Sequence, residues 1–111
     1  MSALSTKIRS LEGNRLMFMC PGCNDRHVIQ YGEGKGPRWT WNGNAEKPTF
    51  TPSVLVRYEA VPEAPDDMAE WRTERLCHSY VTDGRIEFLS DCTHDLVGKT
   101  VDLPEWTEVG T

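Results

Sequence analysis

The chain has 111 residues, of which 38% are hydrophobic and 26% charged, and its formal net charge is −5. That length predicts one domain with a modest core, and the composition excludes a disordered chain. No stretch approaches the roughly 18 apolar residues that span a bilayer, so no membrane role is expected. The acidic balance disfavours nucleic acid as a partner, because such binders need a basic face.

Met1 to Ser10 holds no apolar run of signal-peptide length, so the cytoplasm is the expected compartment. The first 14 residues carry no clear element and are expected to be loosely ordered. Arg15 to Met19 reads as a strand running into the knuckle Cys20-Pro21-Gly22-Cys23, with Val28 to Tyr31 as its return strand. Gly32 to Pro37 is a glycine-rich loop. Arg38-Trp39-Thr40-Trp41 alternates as a short strand with both tryptophans on one face, and Asn42-Gly43-Asn44 is a turn. Trp39, Trp41 and Phe50 could form an aromatic platform, but in a chain this small they are expected to fill core volume.

Val54 to Tyr58 is a β-branched strand bounded by Pro52. Residues 59–75 form an acidic surface excursion, and there Asp67-Met68-Ala69-Glu70 has capping-box spacing for one short helix with Met68 and Trp71 on a shared face. Cys77 to Thr82 and Arg85 to Ser90 flank Asp83-Gly84, a two-residue hairpin turn. Thr100 to Leu103 adds a last strand, stopped by Pro104. The expected fold is mainly β: a small zinc-stabilised single domain, residues 1–111, of antiparallel hairpins with room for one short helix.

Four cysteines in a reducing compartment point to metal ligands rather than disulfides. The knuckle aims Cys20 and Cys23 at one point, and zinc requires two further thiolate or imidazole ligands. With Thr82 opposite Arg85, Cys77 falls opposite Ser90, and a strand continued past Ser90 puts Cys92 and His94 on the face of Cys77. His78 projects from the opposite face. Cys77 is thus the third expected ligand; the fourth is open among His94, Cys92, His27 and His78. Asp91 and Asp95 flank the possible ligands and could orient an imidazole or serve as a base beside a metal-bound water. Ser79 has no base in register, so nucleophilic catalysis is not expected of it.

The motifs Phe18-Met19-Cys20-Pro21-Gly22-Cys23 with His27, Trp39-x-Trp41-Asn42-Gly43-Asn44, Pro48-Thr49-Phe50-Thr51-Pro52-Ser53, Cys77-His78-Ser79, Asp83-Gly84-x-Ile86-x-Phe88, Asp91-Cys92-Thr93-His94 and Leu103-Pro104 occur in order. Together they resemble a family of small phage and prophage proteins of unknown function that often carry the automatic label "ammonia monooxygenase". That label names a membrane-embedded copper enzyme and does not suit a chain with no span. The resemblance implies a phage origin, relatives beside bacterial ubiquitin-like conjugation genes, and Cys20, Cys23, Cys77 and His94 as ligands, with the Cys92 position open to serine. The functional expectation is a non-enzymatic protein whose Zn2+ is structural and whose surface binds a macromolecular, protein partner. The alternative is a small zinc hydrolase with three protein ligands and an open coordination position.

Overall fold

A computed structural model describes residues 2–106. The chain forms two antiparallel meanders. The first comprises β1 (Ser2–Ala3), β2 (Arg9–Leu11), β3 (Arg15–Cys20) and β4 (Asp25–Gln30). The second comprises β5 (Thr40–Trp41), β6 (Phe50–Tyr58), β7 (Arg75–Thr82), β8 (Arg85–Phe88) and β9 (Thr100–Asp102). The mainly β fold is as expected, and β1 and β2 pair within the stretch expected to be loosely ordered. No helix among the described residues is long and apolar enough to cross a membrane.

The two sheets share one core, because alternate residues of each strand point the same way. Leu16, Phe18, Cys20 and Ile29 from the first sheet meet Phe50, Val54, Cys77, Val81, Ile86 and Phe88 from the second. Phe18 and Phe50 stack across the junction with ring centroids 5.8 Å apart. Trp39 and Trp41 pack partly buried against this core, the role expected of them in so small a domain.

The Asp83-Gly84 turn sets Thr82 opposite Arg85 and Val81 opposite Ile86, as the sequence indicates. Inward Cys77, Ser79 and Val81 are buried, whereas Tyr80 is exposed and His78 half-buried on the outer face.

Two departures from the sequence reading bear on the site and its surroundings. First, β8 does not continue to Cys92. Leu89 N–H still donates to the His78 carbonyl (2.9 Å), but Cys92 N–H then closes a turn on Leu89 O (3.1 Å). Leu76 consequently meets Thr93, two residues beyond the partner that a straight strand would supply. Ser90 and Asp91, both turn formers, occupy the bend. Second, residues Asp66–Arg72 form a 3-10 helix whose N-cap is Pro65, with no side-chain cap. The Asp67 capping box does not form: Asp67 lies inside the helix, and Asp66 instead binds Arg72 (2.6 Å). Met68 and Trp71 stay exposed. The Arg75 guanidinium lies over both the Trp71 and the Tyr58 ring, 4.7 and 4.5 Å from their centroids.

Candidate functional site

Two constellations meet on β7, one on each face. On the inner face, Cys20 ends β3, Cys23 closes the knuckle, His27 sits on β4 and Cys77 on β7. One ligand atom from each lies within 4.8 Å of all the others, so the four could hold a metal ion. The Cys20 and Cys77 sulfurs are 3.8 Å apart, and two 2.3 Å zinc–thiolate bonds at a tetrahedral angle would require about 3.8 Å. His27 supplies a further test. Its Nδ1 lies 3.2 Å from the Arg26 carbonyl, which can only accept, so Nδ1 carries the hydrogen and Nε2 keeps its lone pair. That Nε2 is buried with no hydrogen-bond partner, an arrangement that costs stability unless something binds it. The donor set and its geometry fit a tetrahedral cation.

Hydrogen bonds with Cys23 and Cys77 pull the Cys20 thiol far below its ordinary range, while hydrogen bonding to Cys20 pushes Cys77 far above it. Burial opposes charge on His27, yet the Cys20 and Cys23 sulfurs beside it hold its pKa up at about 9, so Nε2 takes up a proton when nothing else binds its lone pair.

Cys77 also belongs to a second group, with Cys92 and His94. Here the imidazole is turned the other way: His94 Nδ1 accepts from Leu96 N–H (3.2 Å), so its hydrogen belongs on Nε2. His94, first on the short list from the sequence, thus spends its lone pair on the backbone. Its ring packs edge-on to Phe88 at 4.4 Å and covers Gly22. A Cβ at Gly22 would clash with the Cε1, Nε2 and Nδ1 atoms of that ring. Gly22→Ala is therefore expected to lower stability by about 1–3 kcal/mol, the usual range for overpacking, in a urea melt.

On the outer face of β7, His78 Nε2 lies 2.9 Å from Ser53 Oγ, and His78 Nδ1 lies 3.0 Å from Asp91 Oδ2. The carboxylate can only accept, so Nδ1 carries the hydrogen and Nε2 is left to accept the Ser53 proton. This is the hydrogen-bond chain of a Ser-His-Asp triad, which is recognised by geometry rather than by order in the sequence. Ser53 and His78 are half-buried and Asp91 is exposed, so the chain opens to solvent.

Local structure brings the three together. Between the pairs Phe50↔Val81 and Val54↔Ser79, the residues Thr51, Pro52 and Ser53 stand opposite Tyr80 alone. Proline cannot serve a central ladder, and the bulge re-aims the next side chain, as bulges beside active sites do. Ser53 is thereby set diagonally to His78, whose direct partner is Leu55. The turn at Leu89–Cys92 then delivers Asp91. The Cys92 thiol fastens that turn: it accepts from His78 N–H and donates to His78 C=O, both at 3.2 Å. Burial raises the Cys92 pKa and keeps the proton that this bond needs.

Sequence reasoning considered His78 and Asp91 as metal-site residues and gave Ser53 no role. Ser79, the serine it did weigh, is wholly buried on the inner face. The signal for Ser53 was available in Thr51-Pro52-Ser53, a proline within a strand-like run. No curated protein and no solved structure matches the chain. A family model does match over residues 3–89, that of BubE, described as a bacterial ubiquitination-like system serine protease, and the chain belongs to that family.

Proposed function

We propose that this protein is a small serine peptidase of a bacterial ubiquitination-like system, with Ser53 as nucleophile, His78 as general base and Asp91 as the group that orients and stabilises the imidazole. The observation that carries this reading is the unbroken Ser53–His78–Asp91 hydrogen-bond chain, and the family description agrees with it. Ser53 Oγ would attack the scissile carbonyl carbon while His78 Nε2 takes the hydroxyl proton. The C–N bond then breaks, the proton passes to the leaving amine, and water hydrolyses the resulting Ser53 ester. A purely non-enzymatic binding role leaves this arrangement unexplained.

Zinc belongs to the same proposal as a structural ion held by Cys20, Cys23, His27 and Cys77. Four protein donors close a tetrahedral shell, whereas catalytic zinc keeps a position for water. That disfavours the zinc-hydrolase alternative. Both imidazoles leave a buried, unpartnered Nε2, but His94 Nδ1 already accepts from Leu96 N–H while His27 Nδ1 faces a carbonyl, so the tautomers favour His27 over His94 as the fourth ligand. The cation would join the two sheets and fix Cys77, the residue before His78. A phage or prophage source is compatible with this reading, which does not draw on it.

The direct test is covalent. A fluorophosphonate should add one label to the wild type, mapped to Ser53 by peptide mass spectrometry, and none to Ser53→Ala. A label on another residue, or no label, overturns the assignment. Cys92→Ala is expected to lower kcat about tenfold to a hundredfold by releasing the Asp91 turn, with Cys92→Ser restoring most of it. Steady-state kinetics on any cleaved substrate would show this.

A further inference from the structure

The strand that carries Ser53 is left open along one side. β5 pairs with β6 only at Phe50 and Thr51, so from Ser53 to Tyr58 β6 has a neighbour on the β7 side alone among the described residues. The direction of its backbone groups follows from the ladder. His78 C=O accepts from Leu89 N–H on the β8 side, so Ser79 turns its N–H and C=O towards β6, where Val54 faces it. Val54 spends its groups on that bond, and Leu55 and Arg57 turn theirs to the open edge. At Ser53 the edge is closed, because Trp39 Nε1 donates to the Ser53 carbonyl at 3.2 Å.

An edge with unpaired N–H and C=O groups is a template for another strand, and peptide recognition by strand addition uses it. We infer that the substrate is an extended polypeptide segment that pairs with the Leu55–Arg57 edge of β6 and is then turned by Trp39 onto the outer face, over Ser53. This rests on the proposed serine peptidase reading. Pairing in the plane of the sheet stops where the indole begins, so the added chain must rise past Ser53 Oγ, which points to that same outer face. Leu55 is 53% exposed beside His78 and Tyr80 is 45% exposed, so apolar surface flanks the path. The occupant is an unfolded tail or loop, because a strand already held in a folded sheet could not be turned out of the sheet plane over Ser53.

The test uses the full chain and a proteome-derived peptide library, with cleavage read by mass spectrometry. One cleaved peptide is then resynthesised with N-methyl groups placed singly along it. Methylation at alternate residues on one side of the scissile bond should lower kcat/KM at least about tenfold, since each removes a strand hydrogen bond, and the residues between should be neutral. Leu55→Pro removes the matching donor from the protein and should raise KM for the unmodified peptide by a similar factor. A flat methylation profile, or KM unchanged in Leu55→Pro, overturns the inference. So does a wild type that takes the fluorophosphonate on Ser53 yet cleaves no peptide in the library. Failure of Ser53 to label sinks the underlying catalytic reading instead, so the two failures are distinguishable.

Discussion

Ser53→Ala should abolish peptide cleavage, lowering kcat by about 10⁴–10⁶, while leaving the thermal melt of the protein unchanged. The side chain is half-buried on the outer face and its loss opens no core cavity. His78→Ala is expected to cost about as much, and the double variant no more than either single one, because nucleophile and base act as a unit. Asp91→Asn is the sharper variant. Its amide nitrogen would face His78 Nδ1 as a donor, driving the imidazole hydrogen to Nε2, where it blocks removal of the Ser53 proton. A loss near 10⁴ in kcat with KM little changed is expected. Ser79→Ala makes a contrast. The Ser79 hydroxyl is buried without a partner, so its removal should leave kcat intact and stability equal or higher. Losses in Ser53→Ala and Ser79→Ala of equal size, or additive losses in the Ser53/His78 pair, would refute the triad.

The legible parts of this structure are those governed by local rules. Asp83-Gly84 sets the register of β7 against β8, and that register correctly puts Cys77 inward and His78 outward. Three of the four residues gathered into the candidate metal site follow from the knuckle and from this parity. The fourth member of that group comes from the other hairpin: His27 pairs with Phe18 and shares the buried face of Leu16, Phe18 and Cys20. The alternation through His27 and Ile29 already carried that information, but β4 begins at Asp25, three residues ahead of the expected Val28. The triad was harder to see because two irregularities create it. A bulge at Thr51–Ser53 and an unforced turn at Leu89–Cys92 each shift the chain out of simple alternation. Periodicity describes regular strands, and this site is built where the strands stop being regular.

Removing the metal should unfold the protein or reduce it to a loosened state that has lost Ser53 reactivity. Cys20, Cys23 and His27 belong to the β3–β4 hairpin of one meander and Cys77 to the other. The site therefore bridges two meanders that otherwise share only a small core. Structural zinc in small domains contributes an apparent binding free energy on the order of 10–16 kcal/mol, comparable with the whole stability of a domain this size. A chelator should collapse near-ultraviolet circular dichroism and fluorophosphonate labelling together, and added zinc should restore both. The effect should strengthen as pH falls, because protons compete for the thiolates and the imidazole. X-ray absorption on the wild type is expected to give three sulfurs and one nitrogen. His27→Ala should lose the nitrogen or the metal, while His94→Ala and Cys92→Ser should keep the shell. The reverse pattern, with His94→Ala stripping the nitrogen and His27→Ala harmless, would return the fourth position to His94. A protein that is folded and fully reactive without bound metal would show that the thiols and imidazole gathered between the sheets serve some other end.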